Sequence, residues 1–176
     1  MIDEERLSPD SRFAVSSRNG NQEPNLSVLT NLYLPLIGTN AFSLYMLLFS
    51  IAREDKHQFK AHSFYELQST LSLSLSDIGT AQRKLEGVDL LATFKNNDGA
   101  YRFAIQLPLS SAEFLQTDLL TTLLLGRVGD ATFNQLISRI DQPRNDFEQM
   151  DNISASLLDV FTVTKAAIQN PPEKSD

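Results

Sequence analysis

A mainly α-helical fold carrying a small β-wing is the fold class that residues 74–107 predict, on three observations. Ile78, Ala81, Leu85 and Val88 recur at steps of three and four, which lays one apolar stripe along a helix. LATFKN and YRFAIQL follow as short strands, split by Asn97, Asp98 and Gly99, residue types that tolerate the positive φ of a hairpin turn. In the second strand Tyr101, Phe103, Ile105 and Leu107 alternate with Arg102, Ala104 and Gln106, so one face is buried and the other wet. A helix feeding a two-stranded wing is a winged helix, a relative of the helix-turn-helix that is often used on DNA.

The other elements follow in chain order. Residues 1–24 read as a flexible polar segment in which residues 12–16 (RFAVS) alternate and are able to add a short strand beside the wing. Asn25 caps a first helix with Leu26, Leu29, Leu32 and Leu36 as apolar positions; Gly38 closes it, and Thr39 or Asn40 opens the next. That next helix, AFSLYMLLFSIA, is apolar almost all round, which predicts the central buried helix. Its longest apolar stretch, residues 41–52, is interrupted by Ser43 and Ser50 and falls short of the ~20 residues of a membrane span. Ser63 to Glu66 matches a capping box and places a short helix at residues 64–71. Ser74 or Ser76 caps the helix of the wing element, and Gly87 lets it stop. Residues 25–107 are thus the winged-helix core. Residues 108–168 form a C-terminal helical extension. It begins with one or two helices after Pro108 that carry Leu115, Leu119, Leu120, Leu123 and Leu124 on one side. A helix over residues 131–140, a polar loop and a last helix over residues 153–168 follow. The stripe of that last helix holds Ile153, Leu157, Val160, Phe161, Thr164 and Ile168. Residues 169–176 read as a linker.

Charge decides between partners. The 176-residue chain has a net charge of −7. Residues 1–73 carry 6 basic and 8 acidic groups, residues 74–107 carry 4 and 4, and residues 108–176 carry 5 and 10. The wing element is therefore neutral and the C-terminal part acidic, whereas a DNA-binding domain shows a basic face. The candidate DNA contacts are Arg83 and Lys84, off the apolar stripe, with Lys95 and Arg102 at polar positions of the wing. Four phosphate contacts would give a salt slope of only about −3.6, at about −0.9 each, and Asp77, Glu86, Asp89 and Asp98 lie among them. Weak, sequence-tolerant DNA binding is accordingly the alternative reading. The leucine-rich residues 115–125 are more apolar than a helix with one wet side requires. Either this is a second core helix, or its apolar side is buried against another copy; on the latter reading Leu115, Leu119, Leu120, Leu123 and Leu124, with Leu157 and Phe161, are the candidates for self-association, worth roughly 25 cal/mol per Å² buried.

Other chemistries find little support. The chain has no cysteine, which excludes disulfides and Cys-ligated metals. His57 and His62 fall beside Lys56 and Lys60 and read as solvated loop residues without the carboxylate spacing of a metal site. Residues 126–129 (GRVG) follow a helix and lack the Lys-Ser/Thr of a P-loop, so they read as a helix end. No Ser/His/Asp order stands out and the carboxylates are scattered; neither an enzyme nor a cofactor or metal site is expected. The N-terminus lacks the basic-then-apolar order of a signal peptide, which predicts a cytoplasmic chain.

Three strings are more specific than the winged-helix pattern: LYLPLIGTNAFSLYMLLFS (residues 32–50), KLEGVDLL (residues 84–91) and LPLSSAEFLQTDLLTTLLLGRVG (residues 107–129). In this order and spacing they resemble the N-terminal domain of the DnaB/DnaD-type replication-initiation, helicase-loader proteins of low-GC Gram-positive bacteria. The DnaB branch is the nearer one; it is not the ring helicase of the same name. The resemblance covers roughly residues 12–140. It implies a winged helix with added flanking helices that self-associates and forms a scaffold for primosome assembly. Its implied partners are further copies of itself and, through the full-length protein, other primosome proteins and the replicative helicase. In that family DNA and helicase contacts belong to a separate C-terminal helical domain with a Tyr-x-x-x-Ile-x-x-x-Trp motif. This chain has no Trp and no such second domain, so it reads as an N-terminal fragment ending at Pro171-Pro172, with helicase loading outside it. The branch is also named for membrane attachment. Peripheral association of the full-length protein is implied by that name alone, and the residues themselves suggest no membrane insertion.

Overall fold

The most apolar stretch of the sequence folds as the central helix of the first of two units, Met1–Gln142 and Pro143–Asp176. The structure is a computed structural model, and it describes residues 7–56, 58, 60–140 and 151–162. Asn25 caps helix α1 (Leu26–Val28), its Oδ1 accepting the Val28 N–H at 3.2 Å. A π-helical turn, Leu29–Tyr33, then leads into α2 (Leu34–Glu54). Pro35 lies in the first turn of α2 and has no N–H to give; the turn ahead of it widens, with the Leu34 N–H donating to the Leu29 carbonyl. Gly38 breaks the helix at φ 79° and ψ 172°, backbone angles that glycine tolerates. Beyond it Ala41, Leu44, Tyr45, Leu48, Phe49 and Ala52 are buried, while Phe42, Met46, Leu47 and Ile51 pack half-buried on the same core. By length and composition alone the continuous run Leu26–Glu54 would pass for a membrane span, longer than the interrupted stretch suggested by the sequence. In this fold it is the helix on which α4, the sheet and α6 all pack.

The wing element forms as the patterns require. In α4 (Leu75–Gly87) the Ser74 Oγ accepts the Asp77 N–H at 3.1 Å, and Ile78, Ala81 and Leu85 are buried. It ends at Gly87, as expected, but a different residue turns the chain. The left-handed residue is Asp89 (φ 58°), not Gly87. The Asp89 N–H donates to the Glu86 carbonyl and the Leu90 N–H to the Leu85 carbonyl, a Schellman motif whose two leucines are both fully buried in the core. Strands β3 (Leu91–Lys95) and β4 (Tyr101–Ile105) pair antiparallel. Asn96 organises their turn, its Oδ1 accepting the Asp98 and Ala100 N–H groups, and Gly99 alone takes positive φ there (82°).

The sheet has four strands in the order β2-β1-β4-β3, where β1 is Arg12–Ser17 and β2 is His62–Ser63. β1 lies parallel to β4, with Phe13 opposite Tyr101 and Val15 opposite Phe103. Phe13, Phe64 and Phe103 meet edge-on or tilted beneath it. Helix α3 (Phe64–Leu71) has the expected bounds, but its capping box does not form. Ser63 makes no capping bond, and Glu66 turns to His62 instead.

Three further helices complete the unit: α5 (Ser111–Gln116), α6 (Asp118–Val128) and α7 (Asp130–Arg139). Ser110 and Glu113 form the capping box of α5. Hydrogen bonding to Ser110 holds the Glu113 carboxyl below its ordinary pKa. Two buried tyrosines tie the connector to the core: Tyr45 donates its hydroxyl to the Gln106 carbonyl (2.9 Å), and the Tyr33 oxygen accepts the Leu109 N–H (3.0 Å). Burial pushes both phenols up in pKa, so they stay neutral. In the second unit the expected helix over residues 153–168 is corrected. Ser156 and Asp159 form a capping box that starts α8 (Leu157–Val160) only after Ile153, and Phe161 is already extended. Residues 163–168 lie outside the described residues.

Candidate interaction surfaces

α4 and the wing place the four candidate DNA-binding cations apart. Arg83 and Lys84 are exposed on α4. Lys95 stands opposite Tyr101, its Nζ 5.6 Å from that ring centre, whereas Arg102 stands opposite Phe94. Neighbouring cross-strand pairs lie on opposite faces of a sheet, so Lys95 and Arg102 cannot form one stripe. Lys84 points elsewhere again, its Nζ 3.8 Å from where a Cβ on Gly38 would stand. At the junction of α4 and the wing the charge is negative: Glu86 accepts from Thr93 Oγ1 (2.5 Å) and Gln82 Nε2 (3.0 Å). The Leu7 side chain, 3.6 Å from a Cβ built on Gly79, also lies against α4.

α6 separates the candidate self-association leucines into two groups. Leu124 is completely buried, and Leu115 and Leu120 pack half-buried on the core. These three pack on the unit's own interior, which corrects the expectation that all five leucines share one side and act together in self-association. Leu119 and Leu123, one turn apart, are 70% and 50% exposed. Thr122 and Gly126 share this outer face, and no atom lies within 4 Å of a Cβ placed on Gly126. In the second unit Leu157 and Phe161 are exposed together with Ile153, Leu158 and Val160.

Along one edge of that outer face of α6, Leu123 and Arg127 border Leu36 and Ile37 at the start of α2 and Lys84 and Val88 at the end of α4. Together they line an open groove of about 330 Å³. Four apolar side chains and two cations line it, and no carboxylate does so among the described residues. Nothing in the sequence pattern joins Lys84 to Arg127. They border one groove because α4 and α6 both pack on α2.

His62 is not the solvated loop residue expected from the sequence; His57 lies outside the described residues. The His62 ring stacks on Phe13 with centroids 5.5 Å apart. Nε2 lies 2.6 Å from the carboxylate of Asp55, the residue whose backbone N–H closes the end of α2 on the Ile51 carbonyl, and Nδ1 lies 2.9 Å from Glu66 in α3. Carboxylates only accept, so holding both requires the imidazolium. Partial burial lowers the imidazole pKa, but the two hydrogen bonds and the two negative charges outweigh it and raise the pKa above its ordinary value. The i, i+4 spacing of His62 and Glu66 was a readable signal, whereas Asp55 was not. The carboxylates sit on opposite ring nitrogens, so they do not form a common donor set, and no metal-holding cluster occurs among the described residues.

The model of the DnaB N-terminal winged helix domain family matches residues 7–176. The chain is similar to the replicative helicase loading/DNA remodeling protein DnaB of Staphylococcus aureus (strain NCTC 8325 / PS 47), at 27% identity over 165 residues. That match takes in 92% of this chain and 35% of the relative, so the chain spans about a third of the relative's length. Among solved structures it is similar to the crystal structure of the primosome protein DnaB, residues 1–300, from Geobacillus stearothermophilus. The identity there is 32% and the TM-score 0.66, over 87% of this chain and 59% of that one.

Proposed function

The chain belongs to the DnaB N-terminal winged helix domain family, and from that premise we propose that it is the oligomerisation and protein-interaction scaffold of a cytoplasmic helicase-loading protein of the bacterial primosome. The observation that carries this reading is the outer face of α6, where Leu119 and Leu123 stand exposed on a helix whose Leu124 is buried and whose Leu120 is packed half-buried on the core. Fully burying a leucine contributes about 1.5–3 kcal/mol, so a second copy laid on this face gains by covering both. Two leucines alone make a weak contact, since stable interfaces bury about 1,200–2,000 Å². Leu157 and Phe161 of the second unit offer further exposed apolar area. Scaffolding then follows from repetition: an assembled particle presents each remaining surface several times to other primosome proteins, and linked weak contacts add. The dispersed cations of α4 and the wing support a minor, non-specific DNA contribution at most.

Light scattering on the purified chain tests this reading. A mass at least twice the 19.7 kDa of one chain is expected at micromolar concentration. Leu119→Glu combined with Leu123→Glu should return the monomer mass with cooperative melting intact. A wild-type chain that stays at the monomer mass at high concentration sinks the self-association reading.

A further inference from the structure

We propose that the groove between the start of α2, the end of α4 and α6 docks an acidic amphipathic helix of a partner protein, its apolar side chains seated on Leu36, Val88 and Leu123 and its carboxylates on Lys84 and Arg127. The inference rests on the protein-interaction reading above and not on self-association.

Charge complementarity selects the occupant. On a chain of net charge −7, this groove gathers two cations and, among the described residues, no acid. Among the described residues no carboxylate forms a salt bridge with Lys84 or Arg127. The apolar lining selects against a nucleic acid, because a phosphate backbone would use the two cations and gain nothing from Ile37, Leu36 and Val88. A peptide helix with apolar anchors one turn apart and carboxylates beside them uses both features, the usual manner of helix-in-groove recognition. The volume of about 330 Å³ lies in the lower part of the range for binding clefts, enough for a pair of side chains and not for an extended surface. Gly87 borders the groove with open space where its Cβ would be, so a partner backbone can come close there.

The probe is a short, blocked, fluorescein-labelled peptide helix with Leu pairs at i and i+4 flanked by Glu, and its control replaces each Glu by Lys. Fluorescence anisotropy should show saturable binding of the acidic peptide to the full chain, weakening as salt rises. Lys84→Glu with Arg127→Glu should lower the affinity by about tenfold or more, since two exposed ion pairs are lost and the reversed charges also repel the peptide. The milder Lys84→Gln with Arg127→Gln should give a smaller loss, and circular dichroism should show both variants folded. Absence of saturable binding, equal binding of the Lys peptide, or indifference to both double variants overturns the proposal. So does displacement of the peptide by oligo-dT that binds more tightly, which would make the groove a nucleic-acid site. Light scattering on the same samples separates the remaining occupant: if peptide binding drives an oligomer to monomers, the groove belongs to a second copy. Leu119→Glu should leave peptide binding in place, so failure of the self-association reading and failure of this one are told apart.

Discussion

α2 and α6 are both leucine-rich helices, and they meet very different surroundings. Around α2 pack α3, α4, α6 and strands β1 and β4, and Leu44, Leu48 and Ala52 are lost from solvent. α6 touches α2, α5 and α7, which cover its inner side and leave Leu119 70% exposed. Apolar density thus sets what a helix is able to bury, and its neighbours set what it does bury. The surplus on α6 is an exposed apolar face, the one that the proposed self-association would cover.

The largest test of that contrast is Leu120→Glu with Leu124→Glu. Leu124 has no exposed surface, so the pair would force carboxylates into a core without partners. The loss should exceed the about 3–5 kcal/mol expected of Phe49→Ala in α2 and leave the chain unfolded by circular dichroism. A cooperatively melting double variant would place α6 outside the core and dissolve the contrast.

The ends of the two helices differ as well. α2 is held at Asp55 through His62, and replacing that histidine by glutamine should cost about 1.5–3 kcal/mol where the imidazolium is present. Because the folded pKa is raised, this contribution is complete below about pH 6.5, the ordinary histidine value, and is lost as pH rises through the folded value. Urea melts of wild type and His62→Gln should therefore differ most at low pH and converge at high pH. A gap that is constant across the range would show the role to be packing on Phe13 alone.

The smallest effect is expected at Gly126. A Cβ there meets nothing, so Gly126→Ala should stabilise the unit by about 0.5–1 kcal/mol through helix propensity. If α6 pairs with another copy, the same change should weaken association, read by light scattering. A stabilised chain with unchanged mass would take Gly126 out of the contact.

Local patterns were legible where a single helix or hairpin satisfies itself. The stripe of α4, the Ser74 cap, the bounds of α3 and the alternation of β4 depend on residues a few positions apart. They failed where a side chain had a distant competitor. Glu66 left the Ser63 capping box because His62 carries a charge held also by Asp55. Gly87 was the obvious stop for α4, yet the chain turns at Asp89, because the Leu85 and Leu90 side chains are drawn into one core. At residues 153–156 a periodic stripe gave no helix, since the Ser156–Asp159 box fixed a later start.

The sequence by itself determined the helix and wing, the central apolar helix and the family, because these rest on periodicity and on strings read in order. Only the tertiary structure decided which leucines of α6 are core, that β1 pairs parallel with β4, and that Lys84 and Arg127 face one groove. The physical reason is that exposure and juxtaposition are properties of neighbours. A helix repeat says which side chains share a face, and only the packing of other elements says whether that face meets the core, the solvent or a second charge.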